Sequence, residues 1–211
     1  MKKYLLALLA LASISCADLG AQRVIPLENS SAYEGLEDLL KKEAIYLQDQ
    51  SSLLPKYEGQ WTGSYAGHKI IATITLQRKH ETAATEEGTH PLFADRLLLS
   101  YQVLDGSDKL ILDTAKEPSL QGEGGSLEVQ REGGKSGAKI LEESYDFTLP
   151  LDDKGTCIFM KAVLSRDLKE LTLMMADVVI AADAGDCPDY IPGMEESWVL
   201  TRTSPMPSAK K

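Results

Sequence analysis

The most constraining feature of this 211-residue chain is an alternation of apolar and polar residues that begins after Pro55. In "HKIIATITLQ" (68–77), one face carries Ile70, Ala72, Ile74 and Leu76. The stretch "RLLLSYQVL" (96–104) repeats the alternation. Because successive side chains of a β-strand point to opposite faces, both stretches predict half-buried strands and not helices.

Further strands follow, separated by short turns that contain Gly, Asp and Ser. They are expected at 109–113, 126–131, 140–149, 156–165, 169–180 and 197–203. Eight or nine strands with short connections indicate an all-β domain over residues 57–203. The expected architecture is an antiparallel barrel, and a β-sandwich is the alternative.

The segment before the strands has a helical pattern. In "SAYEGLEDLLKKEAIYLQDQ" (31–50), Ser31 and Glu34 have capping-box spacing. Apolar residues recur at helical intervals at Tyr33, Leu36, Leu40, Ala44 and Leu47. The pattern predicts one N-terminal helix over residues 32–50 that covers one end of the barrel.

The first residues resemble a bacterial export signal over residues 1–15, with Lys2 and Lys3 before a short apolar run. This run is shorter than the roughly 20 residues that a membrane-spanning helix needs. "ASISC" resembles the lipobox of bacterial lipoproteins, which would make Cys16 the lipidated N-terminus. The alternative is ordinary cleavage after Ala17 or Ala21.

These alternatives lead to different locations. Lipidation predicts an anchored protein of the bacterial cell envelope, at the outer membrane or the cell surface, with a tether over 16–31. Ordinary cleavage predicts a periplasmic or secreted protein. In both cases residues 204–211 are expected to form a disordered tail.

The charge of the chain limits its partners. The formal net charge is −10, and removal of residues 1–15 takes away two lysines and no acid, which gives −12. Nucleic acids and anionic membrane surfaces both favour Lys/Arg clusters, so neither is an expected partner. We expect contact with the membrane only through a lipid anchor, and a monomer.

Two cysteines are left after Cys16 is removed or lipidated, namely Cys157 and Cys187. An even pair in an exported protein predicts a disulfide, which would close a loop of about 30 residues. Two separate thiols are the alternative, because spacing alone does not establish proximity.

The sequence contains no clear catalytic motif and only weak candidates for a metal site. His80 and His90 could share a metal with Glu81 or Glu86, but they lie in a polar stretch typical of a solvated loop. The acidic segment at 177–196 offers calcium a weak candidate site formed by Asp183, Asp186 and Asp189. Its spacing matches no EF-hand. Because no nucleophile or acid–base set is found, we expect a non-enzymatic protein without a cofactor.

The two tryptophans carry a resemblance. Gly59-Gln60-Trp61 opens the first strand of the predicted barrel, and "ESWVLTRT" (196–203) places Trp198 and Arg202 on one face of the last strand. This arrangement resembles lipocalins and related calycin barrels, in which a G-x-W motif starts the first strand. An arginine from the last strand packs over that tryptophan. The resemblance implies a lipocalin-like barrel in which Gly59, Trp61 and Arg202 close one end and the two side chains touch.

A second resemblance concerns the start of the β domain. "KYEGQWTGSYAGHKIIATITL" (56–76) is similar to a group of small exported bacterial proteins of unknown function. This similarity implies an envelope location and no activity.

The predicted barrel allows two hypotheses for function: the barrel binds a small apolar ligand, or the protein is an interaction module whose loops contact another envelope protein. The second would make it an adhesin-like protein, an inhibitor or an assembly factor.

Overall fold

A computed structural model describes residues 22–32, 35–82, 88–116, 122–131, 140–150, 157–179 and 197–204. The strands are β1 Arg23–Pro26, β2 Ile45–Gln48, β3 Gly59–Tyr65, β4 His68–Glu81, β5 Leu92–Leu104, β6 Leu110–Asp113, β7 Gly122–Arg131, β8 Ile140–Pro150, β9 Cys157–Leu164, β10 Glu170–Val179 and β11 Trp198–Arg202. The helices are α1 Leu36–Leu40 and three 3-10 turns, Leu27–Ala32, Leu54–Tyr57 and Thr114–Lys116. The predicted all-β class is confirmed.

The strands form one sheet in the order β1-β2-β5-β4-β3-β11-β10-β9-β8-β7, and β6 pairs with β5 outside this path. At the end of the order, β7 also pairs with β5 over two positions, Leu98↔Glu123 and Leu99↔Gly122. The predicted number of eight or nine strands is too low, since the described residues contain eleven. The sheet is also not purely antiparallel, because β1 and β2 run parallel to each other and β2 runs parallel to β5.

The predicted helix over residues 32–50 is wrong for most of its length. Only Leu36–Leu40 is α-helical, and Ile45–Gln48 is strand β2. Gly35 precedes the helix with a φ of 85°. In β2, Ile45 and Leu47 are buried while their neighbours are half-buried, so the period is two. The apolar positions at 40, 44 and 47 match a helical period as well, and sheet pairing decides between the two.

The predicted tether over 16–31 is also too long. From Arg23 onward the chain belongs to the folded domain, because β1 pairs with β2 over four positions. Ile25 and Leu27 are 1% and 4% exposed. The predicted domain boundary at residue 57 therefore lies too late in the chain.

Strand β5 has one edge against β4 and a second edge that several elements share. This second edge pairs with β2 at 92–94, with β7 at 98–99 and with β6 at 102–104. Between these pairings, the Leu97 N–H donates to the Tyr145 hydroxyl at 3.0 Å, and the Tyr101 N–H donates to Thr114 Oγ1 at 2.8 Å. Side chains thus satisfy backbone groups that no strand reaches, as buried backbone requires.

The core is a single cluster of buried apolar side chains to which every described strand except β6 contributes. The largest side chains with less than 2% exposure include Trp61, Tyr57, Tyr145, Phe147, Leu97, Leu99 and Met160. Tyr145 packs against Phe147 and Tyr57, with ring centroids 5.1 and 6.2 Å apart. Bulky residues therefore fill the described interior.

The register defines two ends of the domain. Arg23 is level with Ile45 and Leu92, next to the turn that carries Lys42; we call this the Lys42 end. Lys69 is level with Leu104, next to the turn 105–109; we call this the Lys109 end. Strand β4 has 14 residues, which corresponds to about 40 Å between the ends.

Candidate functional site

Trp61 and Arg202 are in direct contact, as the sequence predicts. Trp61 lies on β3 with an exposure of 0%, and the guanidinium carbon of Arg202 is 4.0 Å from the centroid of its ring. The two residues also face each other in the antiparallel pairing of β3 with β11. A cation over an indole face contributes about 0.5–2 kcal/mol. We call Gly59, Trp61 and Arg202 the Trp61–Arg202 junction.

Arg202 also binds three backbone carbonyls. Its Nη1 donates to the Glu58 carbonyl at 2.6 Å, its Nη2 to that of Lys56, and its Nε to that of Leu168 at 3.2 Å. Burial lowers the pKa of Arg202, but arginine stays charged in proteins. The guanidinium therefore connects β11 with the segment before β3 and with the β9–β10 turn.

Gly59 has a backbone conformation that only glycine adopts readily, with a φ of 130°. An added Cβ would lie 2.4 Å from Ser204 Oγ and 3.1 Å from Arg202 Nη1. Ser204 Oγ accepts a hydrogen bond from the Gln60 N–H at 2.8 Å. Two features thus require the glycine of the G-x-W motif: its positive φ, and the close approach of the Arg202 and Ser204 side chains.

A second charged cluster, which no sequence motif predicts, consists of Asp49, Asp95, Arg78 and Tyr46. We call it the Asp49–Asp95 junction. The side chains of both aspartates are 0% exposed, whereas that of Arg78 is 47% exposed. Arg78 Nη1 lies 2.6 Å from Asp95 Oδ2 and 3.7 Å from Asp49 Oδ2. The Tyr46 hydroxyl donates to Asp95 Oδ1 at 2.6 Å.

Backbone N–H groups satisfy the remaining carboxylate positions. Asp95 accepts from Lys79 and from Asp49, both at 3.0 Å. Asp49 accepts from Leu53 at 2.8 Å and from Leu54 at 3.0 Å. Each carboxylate oxygen has a donor, so the cluster is suited to holding the chain in place and less suited to proton transfer.

A bulge in β4 creates this arrangement. The register between β4 and β5 shifts between Gln77 and His80, and Lys79 within it has a φ of 49°. The bulge turns the Lys79 N–H towards Asp95. Burial on its own raises the pKa of Asp95, but the hydrogen bonds from Tyr46, from the two backbone N–H groups and from Arg78 together outweigh it, so the pKa is lowered. Burial and the bond to Asp95 raise the pKa of Tyr46 to about 12.

A third polar group lies inside the fold, beneath the 3-10 turn that precedes β3. Tyr57 is 0% exposed, and its hydroxyl lies near Glu143 without an aligned hydrogen bond. Glu143 forms an ion pair with Lys56. Burial, followed by the charge of Glu143, raises the pKa of Tyr57 far above its ordinary value. Tyr57 is therefore a neutral phenol at every physiological pH.

Several predicted sites lie outside the described residues. These are Cys16, Cys187 and the calcium candidates Asp183, Asp186 and Asp189. Cys157 begins β9 and pairs with Val179 at the end of β10, but its predicted partner Cys187 is not described. Lipidation, the disulfide and the calcium site stay predictions. Within the described ranges, no group of three or more His, Cys, Asp or Glu residues could hold a metal ion.

Comparison with known proteins identifies no relative: no family model, no curated protein and no solved structure matches the chain. In the part of the chain that the structure describes, no helix is both long and apolar enough to cross a membrane.

Proposed function

We propose that the chain is an exported, lipid-anchored, non-enzymatic protein of the bacterial envelope that acts as an interaction module. The observation that carries this proposal is an apolar pair on its surface, Leu110 and Ile111, which are 42% and 57% exposed. They follow the turn 105–109 directly. Contiguous exposed apolar surface marks contact sites for other proteins, and in this proposal the two side chains are the centre of such a surface.

The proposed scaffold is a lipocalin-like barrel of eight strands, β3, β4, β5 and β7 to β11. Two features support it. The pairing of β7 with β5 connects the two ends of this set, and the Trp61–Arg202 junction packs its first strand against its last. On this proposal β1, β2 and β6 are additions along the second edge of β5.

The packing of the interior favours an external partner over an internal ligand. Side chains with 0% exposure come from seven of the eight strands: Trp61, Ala72, Leu97, Leu99, Phe147, Ala162, Leu171, Leu173 and Leu200. A side chain with no accessible surface borders no water-sized void. The bulky inward residues thus fill the space that a ligand would need.

The partner would contact side chains and not the strand backbone. The pairing of β6 with β5 skips Ile111, because Val103 pairs with Leu112 and Leu104 with Leu110. A bulge in a short edge strand hinders the addition of another strand. We therefore expect a partner protein with an apolar pocket that receives Leu110 and Ile111.

A photo-crosslinking residue at position 111, introduced in the native host, tests this proposal. It should give a discrete adduct in intact cells that the additional substitution Leu110→Lys reduces. The matched control is position 199, because Val199 is 56% exposed and lies on β11. Equal adducts from both positions, or none from position 111, would contradict the proposal.

A small amphipathic ligand is the second candidate. It would have to displace side chains packed around the Tyr57 hydroxyl, a buried group without an aligned hydrogen-bond partner that could then bind the polar end of such a molecule. Native mass spectrometry of protein purified from its own host distinguishes the candidates. A retained small molecule that Tyr57→Phe removes would support ligand binding and contradict a purely external function.

A further inference from the structure

We infer that the lipid anchor orients the domain, with the Lys42 end towards the membrane and the Lys109 end, including Leu110 and Ile111, away from it. This inference rests on the proposed lipidation of Cys16. It adds an orientation and a membrane-facing surface that the anchor alone does not specify.

The first argument is the length of the connection. Strand β1 begins at Arg23 and pairs along its whole length with β2. Only residues 17–22 separate Cys16 from Arg23. A fully extended chain over these seven steps covers at most about 25 Å. Strand β4 runs about 40 Å from one end to the other, so an anchor attached at one end is too short to let both ends reach the membrane equally.

The second argument is the way in which β1 is held. The Arg23 N–H donates to the Ala44 carbonyl at 2.9 Å, and its guanidinium lies 3.3 Å from Glu43. Ile25, two residues later, is 1% exposed. Strand β1 therefore begins beside the turn that carries Lys42, and an anchor at Cys16 is connected to this end.

Energy transfer to labelled lipid measures the orientation. A donor dye is attached at position 42 or 109, both exposed lysines, in full-length protein purified from its host. The protein is added to phosphatidylethanolamine–phosphatidylglycerol vesicles that contain acceptor-labelled lipid. Transfer should be about two-fold or more stronger from position 42, because position 109 is roughly 40 Å further away. Equal or reversed transfer would overturn the orientation.

Two controls separate the possible failures. A Gly/Ser insertion of about twelve residues between Ala21 and Gln22 should remove the difference, whereas the same insertion after Ser204 should preserve it. If wild-type protein does not float with the vesicles, or floats as well as Cys16→Ala, the proposed anchoring is wrong. If it floats through Cys16 but transfer is equal, only the orientation is wrong.

Discussion

The Trp61–Arg202 junction and the Asp49–Asp95 junction both bind backbone groups that strand pairing leaves free, and they do so with side chains of opposite charge. At the first, a cation binds carbonyl groups of Glu58, Lys56 and Leu168. At the second, two anions bind backbone N–H groups and one arginine. In both cases a charged side chain satisfies backbone groups where regular strand pairing stops.

The difference between the junctions lies in what they connect and in how they respond to solvent. Arg202 connects β11 to the start of β3, and its indole contact is part of the apolar core. Asp49 and Asp95 connect the chain that follows β2 with β5 and with the bulge of β4, next to a half-exposed Arg78. Only the second junction contains a carboxyl group with a shifted pKa, that of Asp95, which is lowered. The comparison predicts that separate perturbations will destabilise the protein by different amounts and at different pH.

The largest expected effect is that of Asp95→Asn. This change leaves Arg78 and the donors of Tyr46, Lys79 and Asp49 facing a neutral amide. Because Arg78 is half-exposed, we expect a loss of about 3 kcal/mol, the lower end of the range for a broken buried pair. Denaturant unfolding at neutral pH measures the loss. The control is Asp38→Asn, since Asp38 is 75% exposed and its pair with Lys41 should contribute less than about 1 kcal/mol. Similar losses in both variants would contradict a structural role for the buried cluster.

The two junctions also differ in how much of them the sequence could predict. Gly59, Trp61 and Arg202 carry a short motif, and their contact was expected from the resemblance of this motif and of the last strand to lipocalin barrels. Strands β8 to β11 were likewise predicted within one or two residues at each end.

Asp49 and Asp95 have no such signal, because their proximity depends on the parallel pairing of β2 with β5 and on the bulge at Lys79. The sequence around β2 fits a helix as well as a strand. Local periodicity cannot resolve this ambiguity when a distant strand, here β5, supplies the hydrogen bonds.

A smaller loss is expected for Arg202→Lys. Lysine keeps the charge, but a single ammonium cannot bind the three carbonyls in the geometry of the guanidinium fork. Hydrogen bonds to charged groups contribute about 1.5–3 kcal/mol each, and lysine should retain part of this, so we expect a loss of about 2 kcal/mol in denaturant unfolding. The control is Arg23→Lys, because Arg23 is 43% exposed in its pair with Glu43. Equal effects would show that the junction contributes no more than a surface ion pair.

The smallest effect is a difference in pH dependence that separates the junctions. The folded-state pKa of Asp95 is lowered, so its contribution to stability is present above the ordinary value of 3.8 and is lost as the pH falls through the folded-state pKa. The destabilisation by Asp95→Asn should therefore shrink as the pH falls below about 4, and it should be smallest below the folded-state pKa, where the wild-type carboxyl is neutral as well. Arg202 does not titrate in this range, so the destabilisation by Arg202→Lys should stay constant between pH 3 and pH 7.

Unfolding free energies of the wild type and the two variants, measured between pH 3 and pH 7, give the slope of each destabilisation against pH. Parallel slopes would mean that Asp95 is not the ionised centre of its junction, and the contrast between anionic and cationic junctions would then fail.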